Sequence, residues 1–299
     1  MIAVGILRTT RPKQWVKNLF VLAPVVFAKN LFQEQVLLRA LLAFGVFSVL
    51  AGAIYTINDL VDVEEDRSHP TKRHRPIASG EVPAGVARAS AGVMIALSLG
   101  GAAWLDRRVA AVALAYLLKD LAYSLRPFRL KQVAYLDVAL IAAGFVLRVL
   151  AGCYAVSTPA HPVSPSLYLL GCTAFLALFL GFGKRYHELR VNASKSRAAL
   201  DAYRPETLKV ILWGTALATV GVYLAWTLDP PSQLRFASEY LWTTTPFVLF
   251  AIGRFVRLLD SESGESPTDA MLRDVPFVLT LVAWAALILV LVYRLRPTP

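Results

Sequence analysis

Residues 40–66 read "ALLAFGVFSVLAGAIYTINDLVDVEED", and the rest of the chain is best interpreted from this segment. Residues 40–57 contain no Asp, Glu, Lys or Arg, and their length approaches the ~20 residues that a helix needs to cross the hydrocarbon core of a bilayer. Carboxylates follow immediately, from Asp59 to Asp66. An apolar segment that ends in acidic residues predicts an integral membrane protein with a polar site at one membrane face.

Apolar segments of this kind recur along the chain, which has 299 residues, 57% of them hydrophobic and only 17% charged. The clearest segments, free of Asp, Glu, Lys and Arg, are 40–57, 89–105, 166–183, 210–228 and 275–293. Weaker segments, interrupted or bordered by charges, are 14–34, 109–126, 136–156 and 236–257. The pattern predicts an all-α integral membrane protein with about nine transmembrane helices, in one domain that covers residues 1–299.

The positive charges lie mostly on one side of this predicted arrangement. Most Lys and Arg belong to the N-terminus and to the connections after the second, fourth, sixth and eighth predicted spans. Because membrane proteins retain Lys and Arg on the cytoplasmic side, the bias places the N-terminus in the cytoplasm and, after nine spans, the C-terminus outside. The same bias explains the net charge of +11, so we expect the bilayer, and not a nucleic acid, as the partner.

The motif "NDLVDVEED" at residues 58–66 contains Asn58, Asp59, Asp62 and Asp66 at helical spacing. At about 100° per residue the three aspartates fall on one helix face, and Asn58 lies one turn before Asp62. Oxygen ligands on one face suit a hard cation such as Mg²⁺, which keeps several waters and prefers phosphate oxygens as further ligands. The alternative is a solvated helix end whose acids are balanced by the basic segment that follows.

The basic segment "RSHPTKRHRPIASG" at residues 67–80 favours a diphosphate site over that alternative. A metal beside fixed cations can bind a diphosphate, because the metal takes some phosphate oxygens while Arg or Lys takes others. Lys72 and Arg75 are the preferred candidates for this role. Arg73 and His74 are explained as well by the cytoplasmic excess of positive charge.

Further polar residues lie where the other cytoplasmic connections meet the membrane. Asp137 and Arg148 are separated by about three helical turns, and an Arg so deep in a span indicates a polar cavity or a buried acidic partner. Other polar side chains near helix ends could bind phosphate or only anchor the helices at the lipid headgroups. They are Lys17, Tyr123, Lys131, Lys184, Arg185 and Glu188.

These motifs resemble those of the UbiA superfamily of intramembrane prenyltransferases. The family signature NDxxDxxxD, after the second of nine helices, is matched by Asn58, Asp59, Asp62 and Asp66, and the family's Tyr and Leu-Lys segment by Tyr123, Leu130 and Lys131. The resemblance covers essentially the whole chain and implies a UbiA-like helical bundle with a cytoplasmic-facing active site. Prenyl-diphosphate enzymes of the family carry a second aspartate-rich motif after helix 6, where this chain has "GKRYHE" at residues 183–188.

The segments "RPKQWVKN", "GFVLRVLAG" and "LGFGKRYHE" further resemble one branch of the family. That branch transfers 5-phosphoribose from 5-phosphoribosyl diphosphate (PRPP) to a polyprenyl phosphate of the decaprenyl type and releases diphosphate. It implies a bacterial plasma (inner) membrane and a role in supplying arabinan precursors for the arabinogalactan of the cell wall. The departure at "GKRYHE" agrees with this branch, because the separate 5-phosphate of PRPP needs cations and not carboxylates.

The resemblance also implies roles for individual residues. Mg²⁺ is expected on Asn58, Asp59, Asp62 and Asp66, and the expected catalytic residues are Asp59, Asp62, Asp66 and Lys131. The expected substrate-binding residues are Lys17, Asn58, Lys72, Arg75, Tyr123, Arg148, Lys184, Arg185 and Glu188. A lipid phosphate is already ionised at neutral pH, so no general base is expected. Which cations bind the 5-phosphate and which bind the lipid phosphate stays open.

Two other functions stay open. A UbiA prenyltransferase that moves a prenyl group from a prenyl diphosphate to an aromatic or glycerol-phosphate acceptor would use the same acidic motif. A transporter would use the charges within the membrane for ion flux and would form no lipid product. The sequence also leaves open the prenyl chain length and whether copies of the chain assemble into a homo-oligomer.

Overall fold

The chain folds as a series of α-helices. The computed structural model describes residues 2–159, 161–191, 200, 202–260 and 267–293, with residues 268 and 269 described by their backbone only. All regular structure within these ranges is helical. The α-helices are α1 (Ile2–Thr9), α2 (Ala23–Phe27), α3 (Glu34–Val61), α4 (Val63–Ser68), α5 (Ala84–Leu105), α6 (Arg107–Ser124), α7 (Leu136–Val156), α8 (Leu167–Arg190), α9 (Pro205–Leu228), α10 (Pro230–Phe236), α11 (Thr245–Leu259), α12 (Pro267–Arg273) and α13 (Val275–Tyr293). Short 3₁₀-helices lie at Pro12–Val21, Lys72–His74, Leu130–Gln132 and Leu241–Thr244.

Six of these helices are long and apolar enough to cross a bilayer, as far as the described residues show: α3, α5, α7, α8, α9 and α13. They include all five of the clearest apolar segments of the sequence and the weaker segment 136–156. The prediction of an all-helical, multi-pass membrane protein is therefore confirmed. The count of nine spans is not confirmed.

The predicted span 14–34 is not one continuous helix. Its residues form the 3₁₀-helix Pro12–Val21, the five-residue helix α2 and, from Glu34, the start of α3. Pro24 sits in the first turn of α2, where it lacks the N–H that a helix continuing from residue 21 would need. Lys29 has a left-handed backbone (φ 61°), which ends the segment because a non-glycine residue in that region cannot continue a helix.

The other two segments also form helices, which are not among these six. Segment 109–126 lies almost entirely in α6, which is 18 residues long and carries charges at its start and near its end. Segment 236–257 contains a 3₁₀-helix followed by α11, which has only 15 residues and is too short to span by itself.

The helices group into two compact units, each with its own apolar core. Unit 1 comprises Met1–Lys131 and Gly144–Pro165, and unit 2 comprises Gln132–Ala143 and Ser166–Pro299. The core of unit 1 is formed by buried side chains of α3, α5, α6 and α7, and that of unit 2 by side chains of α8, α9 and α11. The single domain expected from the sequence stays a prediction, and each unit is described by itself.

One arginine ties two helix ends of unit 1 together. Arg39, near the start of α3, donates from Nε to the carbonyl of Ala155 (2.8 Å) and from Nη2 to the carbonyl of Leu105 (2.7 Å). These carbonyls belong to the last turns of α7 and α5, where no further helical N–H can reach them. A guanidinium also suits the negative end of both helix dipoles, so Arg39 fixes three helices at one end of the unit.

Candidate active site

The acidic motif lies across a break between two helices, and not along one helix as its spacing predicted. Asp59 is in the last turn of α3, Asp62 is the residue between α3 and α4, and Asp66 is in α4. Asp59 and Asp66 are each only 2% exposed, whereas Asp62 is partly exposed. The two buried aspartates, although they lie in different helices, share one partner.

That shared partner is Arg75, which follows the 3₁₀-helix Lys72–His74. Its Nη1 donates to Asp59 Oδ1 (3.1 Å) and to Asp66 Oδ2 (2.7 Å). Arg11 forms a second ion pair with Asp59, and its guanidinium carbon lies 5.0 Å from the centre of the Tyr55 ring. Each buried carboxylate is thereby compensated by a cation, as burial in a low-dielectric region requires.

Asp62 is held by a different pair of cations. Lys131 Nζ lies 2.6 Å from Asp62 Oδ2 and 2.9 Å from Oδ1, and Arg129 Nη2 lies 3.2 Å from Oδ1. Arg129 also donates to Glu65 (2.5 Å), and this hydrogen bond raises the pKa of Arg129, which therefore stays charged. Four carboxylates of the motif are thus paired with four cations, and these pairs are close to neutral without a ligand. The carboxylates are Asp59, Asp62, Glu65 and Asp66, and the cations are Arg11, Arg75, Arg129 and Lys131.

Two of these cations were not among the site residues predicted from the sequence. Arg11 and Arg129 both have a left-handed backbone, with φ of 50° and 40°. Such a conformation is uncommon for residues other than glycine, and its cost is usually met by surrounding contacts at functional sites. Each guanidinium contacts an aspartate of the motif, so both residues belong to the candidate site. The sequence offers one signal for each residue. Arg11 directly precedes Pro12, and Arg129 lies two positions before Lys131.

The residues of the motif fit Mg²⁺ chemically. Asn58 Oδ1 is buried and accepts no hydrogen bond from the described residues, which leaves an oxygen ligand without a partner at the motif. No group of three or more His, Cys, Asp or Glu side chains in the described ranges is arranged to hold a metal by itself. Mg²⁺ commonly takes one or two carboxylates and completes its shell with water and substrate phosphate, and this donor set suits that mode.

Three further predicted site residues of unit 1 are partly exposed. Lys72 is partly exposed on the 3₁₀-helix that precedes Arg75. Lys17 is partly exposed on the 3₁₀-helix Pro12–Val21, and Tyr123 is partly exposed in the last turn of α6. Their predicted contacts with substrate stay predictions.

Arg148 is buried among polar groups of unit 1. Arg148, in the part of α7 that belongs to unit 1, is 6% exposed. It donates from Nε to Asn18 Oδ1 (2.6 Å), from Nη1 to the Gly144 carbonyl (3.0 Å) and from Nη2 to Tyr116 Oη (2.7 Å). Its guanidinium carbon also lies 4.7 Å from the centre of the Tyr116 ring. The predicted alternative of a buried acidic partner is not found within the described ranges.

In unit 2, Arg185 is buried between acidic groups. Its Nε donates to Asp137 Oδ2 (2.8 Å), and its Nη1 pairs with Glu188 one turn further along α8. The hydroxyl of Tyr203 donates to Asp137 and accepts from the Tyr135 N–H (2.7 Å). Burial, and then the hydrogen bond to Asp137, raises the pKa of Tyr203, so the phenol keeps its proton.

The predicted contact between Arg185 and a phosphate stays a prediction. The Arg185 side chain is 3% exposed and is paired with the carboxylates of Asp137 and Glu188. Lys184, its neighbour on α8, is partly exposed, and its predicted contact with a phosphate stays a prediction.

Comparison with known families identifies the chain. The sequence model of the UbiA prenyltransferase family matches residues 19–282. The chain belongs to the UbiA family. This UbiA protein is 35% identical to decaprenyl-phosphate phosphoribosyltransferase of Corynebacterium glutamicum over 98% of its length and 88% of that protein. It is 36% identical to the enzyme of the same name from Mycolicibacterium smegmatis over 97% of its length and 92% of that protein.

Solved structures show the UbiA fold. A UbiA homolog from Archaeoglobus fulgidus bound to DMAPP and Mg²⁺ matches with a TM-score of 0.71 at 20% identity, over 96% of this chain and 99% of that one. The same homolog bound to Cd²⁺ matches with a TM-score of 0.67 at 20% identity, over 96% and 99% of the two chains. The predicted UbiA fold is therefore confirmed, and both structures of that homolog contain a divalent metal.

Proposed function

We propose that this UbiA protein transfers the 5-phosphoribosyl group of PRPP to a polyprenyl phosphate of the decaprenyl type and releases diphosphate. The observation that carries the proposal is the 35–36% identity to two decaprenyl-phosphate phosphoribosyltransferases over nearly the whole chain. The cluster of acidic residues and cations at the end of α3 supports it, because a diphosphate needs both kinds of group.

The reaction replaces one phosphate ester with another at C1 of ribose. The bond between C1 and the diphosphate oxygen breaks, and its electron pair leaves with the diphosphate. An oxygen of the lipid phosphate forms the new bond to C1. A phosphate monoester is largely ionised at neutral pH, so no residue has to remove a proton from the nucleophile. The protein has to neutralise the leaving group and orient two substrates.

The proposed ligands of Mg²⁺ are the side-chain oxygens of Asn58, Asp59, Asp62 and Asp66. When bound, Mg²⁺ would neutralise negative charge on the leaving diphosphate. Arg75 and Lys131, which pair with these carboxylates in the protein alone, would donate to diphosphate oxygens. Lys72 adds a third cation next to Arg75 and is partly exposed to an incoming ligand.

The other predicted site residues are divided in this proposal between candidate phosphate contacts and a structural ion-pair cluster. Lys17 and Tyr123 stay candidate contacts for the phosphate groups of the substrates. In unit 2, Lys184 stays a candidate contact, whereas we assign Arg185 and Glu188 to the ion-pair cluster that positions α7 and α8.

The proposed location follows from the substrates. PRPP is a cytoplasmic metabolite, so the acidic motif should face the cytoplasm of a bacterial plasma membrane, with the N-terminus on the same side. The C-terminus is proposed to be outside, although residues 294–299 lie outside the described part of the chain. The product would then be available for cell-wall arabinan synthesis.

Incorporation of label into lipid tests the proposal. The purified protein is incubated with ribose-labelled PRPP, Mg²⁺ and decaprenyl phosphate, and the lipid is extracted into organic solvent. We expect label in the organic phase, and we expect its loss after chelation of Mg²⁺ and in Asp62→Ala. An organic phase without label would overturn the proposal. Transfer from a labelled prenyl diphosphate to an aromatic acceptor, without transfer from PRPP, would instead establish the prenyltransferase alternative.

A further inference from the structure

Arg148 has hydrogen-bonding capacity that the protein does not use. Its three hydrogen bonds, to Asn18, Gly144 and Tyr116, occupy three of the five N–H groups of a guanidinium. Within the described ranges, one N–H therefore remains on each of the two terminal nitrogens. Two N–H groups in this fork arrangement match two oxygens of one phosphate.

A second cation lies close to Arg148. A Cβ added to Gly144 would be 3.2 Å from Lys119 Nζ and 3.4 Å from Arg148 Nη1. The two nitrogens are therefore no further apart than the sum of these distances. Position 144 carries no side chain, which leaves room for both cations beside the backbone of α7.

The charges of this cluster do not balance. Lys119 Nζ donates to Asp120 Oδ1 (2.7 Å), and Asp120 is the only carboxylate paired with either cation among the described residues. Asp120 Oδ2 is buried and has no hydrogen-bond partner there. Two cations and one carboxylate leave one positive charge in a largely buried region, which is costly without a bound anion.

The cluster adjoins the acidic motif through Tyr55. Tyr55 lies one helical turn before Asp59 on α3 and contacts the Arg11 guanidinium with its ring. It is also within electrostatic range of Arg148 and Asp120. Tyr55 precedes Asp59 along α3, so a group bound beside Tyr55 lies further from the end of this helix than a diphosphate bound by Asp59 and Arg75.

We propose that Arg148 and Lys119 bind the phosphate group of the polyprenyl acceptor. This inference rests on the proposed function and names the cations of its acceptor site. A phosphate monoester brings about −1.5 to −2 charges at pH 7, which offsets the unbalanced positive charge. The aromatic ring of Phe145, 5.4 Å from the Arg148 guanidinium carbon, provides an apolar surface beside the site for the first prenyl units.

Binding of a short acceptor analogue tests the site without PRPP. Radiolabelled farnesyl phosphate is titrated onto the full-length protein in nanodiscs, with farnesol and inorganic phosphate as competitors. We expect Lys119→Gln and Arg148→Gln each to raise the Kd at least about tenfold, the loss typical of one charged hydrogen bond. Arg108→Gln, which removes an exposed arginine of the same unit, should leave the Kd unchanged.

Three results of this titration would overturn the inference: unchanged binding in both variants, competition by farnesol as strong as by farnesyl phosphate, or competition by inorganic phosphate of equal strength. The last result would assign the cations to a free phosphate group. Lys119→Gln keeps the hydrogen bonds of Arg148, so it carries the test if Arg148→Gln fails to fold.

Steady-state kinetics separate this inference from the proposed function. In Lys119→Gln we expect a higher KM for the polyprenyl phosphate and an unchanged KM for PRPP. A raised KM for PRPP alone would assign the cations to the 5-phosphate and overturn the acceptor site, with the proposed function intact. Farnesyl phosphate binding through both cations in a protein that does not transfer phosphoribose would overturn only the proposed function.

Discussion

The two buried aspartates of the motif depend unequally on Arg75. Asp59 pairs with both Arg11 and Arg75, whereas Asp66 pairs only with Arg75 among the described residues. Removal of Arg75 therefore leaves one carboxylate compensated and the other buried at 2% exposure without a cation. A buried charge that loses its partner is more costly than a pair that is removed whole.

Arg75→Met should accordingly lower both stability and activity. We expect a loss of about 2 kcal/mol, less than the ~3–5 kcal/mol typical of a broken buried pair because Arg75 is itself partly exposed. Thermal unfolding in detergent measures the loss, and Arg73→Met, at an exposed arginine of the same segment, is the matched control. Adding Asp66→Asn should restore the unfolding temperature but not the transfer of phosphoribose. A double variant as unstable as Arg75→Met would contradict this account.

At the scale of helices, hydrophobic patterning located the spans but not their interruptions. The apolar run 40–57 predicted a span, and it forms the centre of α3. The end of α3 at Val61 was not predicted, because helical spacing continues through Asp66. Contacts with Arg75, Arg129 and Lys131 accompany the break, and Lys131 lies 69 residues from Asp62 in sequence. Periodicity within one segment contains no information about such partners.

The same limit applies to Arg185 in α8. A cation beside a helix end is equally consistent with a phosphate contact, a lipid anchor or an ion pair. The structure shows the ion pair, with Asp137 of α7 and Glu188 of α8. The third participant, Tyr203, precedes α9 and had no signal in the sequence beyond being a tyrosine near a helix start. Its hydrogen bonds link the segment before α9 to α7.

Tyr203→Phe should therefore loosen this segment without altering the hydrophobic core. Loss of a hydrogen bond to a charged, buried acceptor costs about 1.5–3 kcal/mol, and Tyr135 N–H loses its acceptor as well. The expected result is a lower unfolding temperature for the full-length protein. Tyr168→Phe is the matched control, because Tyr168 also donates to an aspartate of unit 2, Asp229 (3.2 Å), at a partly exposed position. Equal effects in the two variants would contradict a special role for Tyr203.

At the scale of the whole molecule, the proposal depends on which membrane face carries the acidic motif. PRPP is a cytoplasmic metabolite, so the proposal requires the connection between α4 and α5 to lie on that side. The bias of Lys and Arg predicts the same orientation and places the connection between α7 and α8 outside. Arg73 and His161 are exposed residues of these two connections, and both belong to unit 1.

Cysteine labelling decides this orientation. In a chain whose Cys153 and Cys172 are replaced by Ala, we expect Arg73→Cys to react with a membrane-impermeant maleimide only in inverted vesicles or after lysis. His161→Cys should react in intact cells, because its connection faces outward. The inverse pattern would place the acidic motif where PRPP is absent, and would contradict both the charge-based orientation and phosphoribosyl transfer at this site. Labelling of both positions from one side would show that an even number of spans separates them. The prediction of three spans between Arg73 and His161, at 89–105, 109–126 and 136–156, would then be wrong.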